Sequence, residues 1–152
     1  MHIGRAGVRK MEEAKPVILL LENEDNDVFW FRRALSGLDF KGHVRVVPNV
    51  TLARRYMEGQ GEFRDREYYP LPNLIVSDLK MTGETGVDFL SWLNQHEEFA
   101  AIPFVMLSGS AMPADKSAVE KLGAKGFYQK TGEFAVMKEQ MRKILEHMRK
   151  DW

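Results

Sequence analysis

The sequence predicts one α/β domain of the doubly wound class, a parallel sheet with helices on both faces. Three observations predict it. Short apolar runs alternate with segments whose apolar residues recur at three- and four-residue spacings, the signature of a βαβ series. The runs are of strand length and bounded by turn residues, as buried strands are. Four of them stop at polar or charged groups: Val17 to Leu21 before Glu22-Asn23, Leu74-Ile75-Val76-Ser77 at Asp78, Ile102 to Leu107 before Ser108, and Gly126-Phe127-Tyr128-Gln129 before Lys130.

Taken in order, a strand is expected near 17–22 and a helix near 26–37. That helix places Val28, Trp30, Phe31, Ala34, Leu35 and Leu38 on one arc and leaves Phe29 outside it. A strand near 44–48 and a helix near 50–59 follow. The connection 59–72 is long, charged and aromatic, which suggests a surface excursion with a role of its own. The strand near 73–78 leads through a loop carrying Gly83 and Gly86 into a helix near 86–97, then a strand near 102–107. Pro113 suits the first turn of a helix near 113–122, and Gly123 suits the left-handed position after its end. A strand near 125–129 precedes a last helix near 133–149. Its stripe of Phe134, Met137, Met141, Ile144, Leu145 and Met148 is spaced to lie on a sheet.

The 152 residues suit one domain with a sizeable core and are too few for a receptor plus an effector. Basic and acidic residues balance at 22 each, which argues against a nucleic-acid or anionic-membrane partner. The absence of cysteine rules out disulfides, a thiol nucleophile and a thiolate metal site, and fits a reducing, cytoplasmic setting. No apolar stretch approaches the roughly 20 residues of a membrane span. Residues 1–15 carry Arg5, Arg9 and Lys10 without the apolar centre of a signal peptide, and read as a flexible tail before a domain at 16–150.

In an open parallel sheet the C-terminal strand ends share one edge, where such folds place their sites. Asp78, Glu22, Ser108 and Lys130 can therefore converge. A carboxylate can act as a nucleophile and accept a phosphoryl group, which makes Asp78 the candidate acceptor. Phosphoryl transfer depends on positioning and charge neutralisation. Mg²⁺ held by Glu22 and Asp78 would serve this, with the Ser108 hydroxyl and Lys130 on the phosphoryl oxygens. Gly109 leaves room beside Ser108. Each residue also has a plainer reading. Asp78 and Ser108 suit turns, Lys130 suits a solvated strand end, and Glu22, Glu24, Asp25 and above all Asp27 suit a helix N-terminus.

These residues, in this order, resemble the receiver domains of two-component response regulators. The resemblance rests on Ile18-Leu19-Leu20-Leu21-Glu22, Leu74-Ile75-Val76-Ser77-Asp78-Leu79-Lys80-Met81, Pro103 to Gly109, and Leu122 to Lys130, and it covers about 16–148. It implies a flavodoxin-like (βα)5 three-layer sandwich of strand order 2-1-3-4-5. It also implies Asp78 as phosphoacceptor, Ser108 as switch hydroxyl, Phe127 as switch aromatic, Lys130 as the active-site lysine, and the Lys80 backbone carbonyl as a further Mg²⁺ ligand. Segments 61–72 and 97–103 are similar to stand-alone receivers that serve phytochrome-type sensor kinases. Three positions depart from the pattern. Asn23 replaces an acid, which removes a negative charge beside Mg²⁺ while leaving an amide oxygen, a loss that Glu24 or Asp25 could offset. Thr131 replaces a proline that is usually cis, so this loop is expected to be built differently, and Thr82 stands where proline is common.

The resemblance implies a sensor histidine kinase or histidine phosphotransfer protein as partner, docking on the first helix, with Phe29 as a contact. The protein would catalyse only its own phosphorylation and dephosphorylation. With no effector domain expected after Trp152, output is expected through another protein or through a homodimer, over the face of the fourth helix, fifth strand and fifth helix. Two rivals remain: a degenerate receiver acting as a phosphorylation-independent interaction module, favoured by Asn23 and Thr131, and a small hydrolase or flavin-binding protein of the same fold class. The acids after the first strand oppose the latter, since they repel phosphate.

Overall fold

Five consecutive apolar residues make β1 (Val17–Leu21) a strand with no solvent face, and it lies inside the sheet. The computed structural model describes residues 15–109 and 112–148. Beyond β1 it contains α1 (Asp25–Ser36), β2 (His43–Val47), α2 (Val50–Glu58), a 3₁₀ turn (Gly61–Phe63), β3 (Leu74–Ser77), α3 (Gly86–Asn94), α4 (Glu97–Ala100), β4 (Phe104–Ser108), α5 (Pro113–Lys121), β5 (Gly126–Gln129) and α6 (Phe134–Leu145). All four strand pairings are parallel and the order is β2-β1-β3-β4-β5, the flavodoxin-like arrangement.

Side chains alternate across each strand, so the central strands feed two cores. Leu19, Leu21, Ile75, Phe104 and Met106 face α2, α3, α4 and α5. Ile18, Leu20, Leu74, Val76 and Val105 face α1 and α6 through Phe31, Ala34, Leu35, Met141 and Ile144. The chain winds outward from β1 to β2 and then returns to β3 on the other side. The β1/β3 boundary is therefore the switch point of the sheet. Register there is set by Asn73, whose backbone N–H donates to the Val17 carbonyl while its Oδ1 accepts from the Val17 N–H, both at 2.8 Å.

Several expected boundaries move. The helix expected over 86–97 ends at Asn94, where the Asn94 amide donates to the Leu122 carbonyl. A separate turn, α4, then buries Phe99. β4 starts at Phe104 rather than 102, since Pro103 has no N–H for the ladder, and it includes Ser108. α6 ends at Leu145, after which successive i→i−3 bonds from Glu146, His147 and Met148 tighten the backbone; residue 149 lies outside the described residues, as do residues 1–14 of the expected tail. Trp30 and Phe134, both expected on buried stripes, are 43% and 38% exposed; they flank each other with ring centroids 6.0 Å apart at the outer edge of the α1–α6 seam. The 59–72 excursion is packed down: Phe63 is buried against Tyr56, and the Arg66 guanidinium donates to the Tyr56 and Met57 carbonyls at the end of α2.

Gly86 connects this framework to the strand ends. Its N–H donates to the Leu79 carbonyl at 2.9 Å, and a Cβ there would lie 2.4 Å from the Asp78 carbonyl oxygen and 2.9 Å from Ser77 Oγ. Gly86→Ala is expected to force the loop off β3 and cost about 1–3 kcal/mol, measured by denaturant unfolding.

Candidate functional site

Backbone bonds at the strand ends fix where the polar side chains start. The Glu22 N–H donates to the Val47 carbonyl and the Asp78 N–H to the Leu21 carbonyl, each at 3.0 Å, while the Lys130 N–H donates to the Ser108 carbonyl at 2.7 Å. Glu22, Asp78 and Ser108 are all buried. The Lys130 ammonium reaches back across the sheet edge and donates to Glu22 Oε1 at 2.7 Å, Asp27 Oδ2 at 2.7 Å and Asp78 Oδ2 at 3.1 Å. An ammonium has three N–H donors, and these contacts use all three. The other carboxylate oxygens take backbone donors: Asp78 Oδ1 accepts from Leu79 N–H at 2.7 Å and Glu22 Oε2 from Glu24 N–H at 3.1 Å.

Burial pushes the Glu22 carboxyl above its ordinary range, and the Lys130 bond and charge reverse this only in part. Burial alone would lower Lys130, but its hydrogen bonds to Asp27 and Glu22 and the charges of Glu22 and Asp78 outweigh that and raise it. Three carboxylates facing one ammonium leave two uncompensated negative charges. Beside them a cleft of about 230 Å³ runs between α1 and α6, with apolar walls that include Leu20, Phe31, Leu107 and Met141.

The structure thus brings Glu22, Asp78 and Lys130 together and adds Asp27, which helical reasoning assigns to the N-terminus of α1. Ser108 is buried at the end of β4. Phe127 is half-buried on β5 against the α2–α5 side of the sheet. Asn23 and Lys80 are exposed, and Phe29 is 57% exposed on α1. No cis peptide occurs among the described residues, so Thr131 follows Lys130 in trans. The Thr131 hydroxyl accepts from the Glu133 N–H at 3.1 Å and closes that loop locally. Among the described residues no three acids, histidines or cysteines are spaced to hold a metal unaided. Two carboxylates with an amide oxygen and a backbone carbonyl still suit Mg²⁺ chemically, because that ion keeps several waters and takes one or two carboxylates.

The pattern of the response regulator receiver domain matches residues 18–142. The chain belongs to that family. Response regulator Rcp1 of Synechocystis sp. is 29% identical over 101 residues, covering 65% of this receiver and 67% of Rcp1. The solved Mn²⁺-bound form of Rcp1 superposes with a TM-score of 0.76 at 25% identity, covering 86% of this chain and 91% of that one. The bacteriophytochrome response regulator RtBRR gives a TM-score of 0.76 at 27% identity, covering 91% and 81%. The 3',5'-cyclic-nucleotide phosphodiesterase regA of Dictyostelium discoideum is 28% identical over 133 residues, which are 85% of this receiver and 15% of that protein. The receiver therefore spans a small part of regA and about two thirds of Rcp1.

Because the Glu22 carboxyl is raised, its charged form costs stability above the unfolded value of 4.5, and that cost disappears as pH falls below it. Without divalent cation, Glu22→Gln is expected to raise the Tm at pH 7 by roughly 2–4 °C. The gain should vanish below about pH 4 in a series of thermal melts.

Proposed function

We propose that this receiver accepts a phosphoryl group on Asp78 from a sensor histidine kinase or histidine phosphotransfer protein, in a Mg²⁺-dependent phosphorelay, and signals by noncovalent contacts. The observation that carries this reading is the buried Asp78 carboxylate sharing Lys130 with Glu22 in a site with two surplus negative charges. The likeness to RtBRR supports a phytochrome-type kinase as donor. The functional unit is taken as 16–150, acting in the cytoplasm.

In the reaction an Asp78 carboxylate oxygen attacks phosphorus, the donor's P–N bond breaks, and its electron pair stays on the imidazole. Glu22 and Asp78, with the Asn23 amide oxygen and the Lys80 carbonyl, would hold Mg²⁺, which supplies charge neutralisation on the phosphoryl oxygens. Lys130 exchanges a carboxylate partner for a phosphoryl oxygen, a charge-assisted bond of the same kind. Ser108 moves toward another phosphoryl oxygen, and the half-buried Phe127 follows into the space vacated. The neutral amide at Asn23 and the trans Thr131 after Lys130 favour a second reading, a receiver that acts by docking alone.

Incubation with acetyl phosphate and Mg²⁺ is expected to add one phosphoryl group by intact mass, and Asp78→Asn or removal of the metal to abolish it. A folded protein that gains no adduct and ignores Mg²⁺ supports the docking-only module instead. Phe29→Ala is expected to slow transfer from the phosphodonor protein severalfold, consistent with about 1 kcal/mol from one exposed aromatic contact, and to leave acetyl phosphate labelling unchanged. Equal loss in both assays would remove Phe29 from the docking face.

A further inference from the structure

Asp27 belongs to none of the roles above, yet it makes one of the two shortest contacts to Lys130, at 2.7 Å against 3.1 Å for Asp78. It lies in the first turn of α1, four residues after Asn23, and its side chain is 37% exposed where that of Glu22 is 4% exposed. Glu24 and Asp25, its acidic neighbours, are exposed while Asp27 is half-buried, and of the three only Asp27 bonds the ammonium.

We propose that Asp27 is a positioning residue that takes the electrostatic place of the acid absent at Asn23, anchoring the Lys130 ammonium on the α1 side of the site so that Asp78 holds only one of three shares in it. The argument follows from donor counting. With three carboxylates on three N–H groups, no single acid commands the cation, and Asp78 holds the longest share. Without Asp27, one N–H is released to water or turned onto Asp78, and the site keeps one surplus negative charge instead of two. A divalent cation then meets a weaker field and a carboxylate already engaged. Asp27 is also the most exposed of the three carboxylates on Lys130, at 37% against 4% for Glu22 and 11% for Asp78.

This inference rests on the reading of Asp78 only in its metal arm, and one arm of the test needs no metal. The intact protein, without divalent cation and at fixed pH, is acetylated with an N-hydroxysuccinimide ester, and the rate at Lys130 is followed by peptide mass. Asp27→Asn, and Asp27→Ser as a second removal of the charge, should speed labelling about tenfold, as expected for loss of one charge-assisted bond. Asp25→Asn should match the parent. In the second arm, Mg²⁺ titrated against tryptophan fluorescence should bind about tenfold more weakly to the Asp27 variants. Labelling at Lys130 that is the same in the Asp27 and Asp25 variants would overturn the proposal. Absence of Mg²⁺ binding by the parent would count against the phosphoacceptor reading, and the labelling arm would still decide the role of Asp27.

Discussion

Carboxylates buried at the ends of β1 and β3 require a cation close by, and the arrangement of this molecule's upper edge follows from how Lys130 supplies it. Taking an ionised acid out of water costs several kcal/mol unless it is paired and hydrogen-bonded. Glu22 and Asp78 each have a backbone N–H on one oxygen and the ammonium on the other, and for Glu22 these offset the cost of burial only in part. The strand order makes this demanding. β5 lies at the sheet edge, three strand positions from β1, or about 14 Å at the usual spacing. The long Lys130 side chain reaches across to Glu22 at 2.7 Å.

That constraint extends into the loops. The turn after β3 folds back on the strand end through the Gly86 N–H to Leu79 carbonyl bond, which brings Gly86 against the Asp78 carbonyl. The loop after β5 is closed by Thr131 onto the Glu133 N–H and leads into α6. On α1, Asp27 joins the cluster while Phe29 and Trp30 remain at the surface of the same helix, edge-to-face at 5.1 Å. The charged site, the apolar cleft and the exposed aromatic pair are thus adjacent along one helix.

The strands and the acids at their ends were legible because both signals are local: apolar runs of strand length, each closed by a polar residue. Helix faces were legible at Phe31, Ala34 and Leu35 and misleading at Trp30 and Phe134. Periodicity places those two on the inner stripe, but both stay partly exposed beside each other, at 43% and 38%. The break at Asn94 was not legible, since the group that receives its side chain, the Leu122 carbonyl, lies 28 residues on. Asp27 was hidden for the same reason. An acid in the first turn of a helix has a sufficient local explanation in the dipole, and its partner lies 103 residues away.

The amino-acid sequence by itself determined the class of the fold, the candidate acceptor and lysine, and the family, because burial pattern and residue chemistry at strand ends are properties of short segments. Only the tertiary structure decided which acids share the lysine, that Asp27 joins them while Glu24 and Asp25 do not, and that two negative charges remain uncompensated. Those outcomes depend on strand order and on how far each side chain reaches across it, distances that do not exist until the sheet has closed.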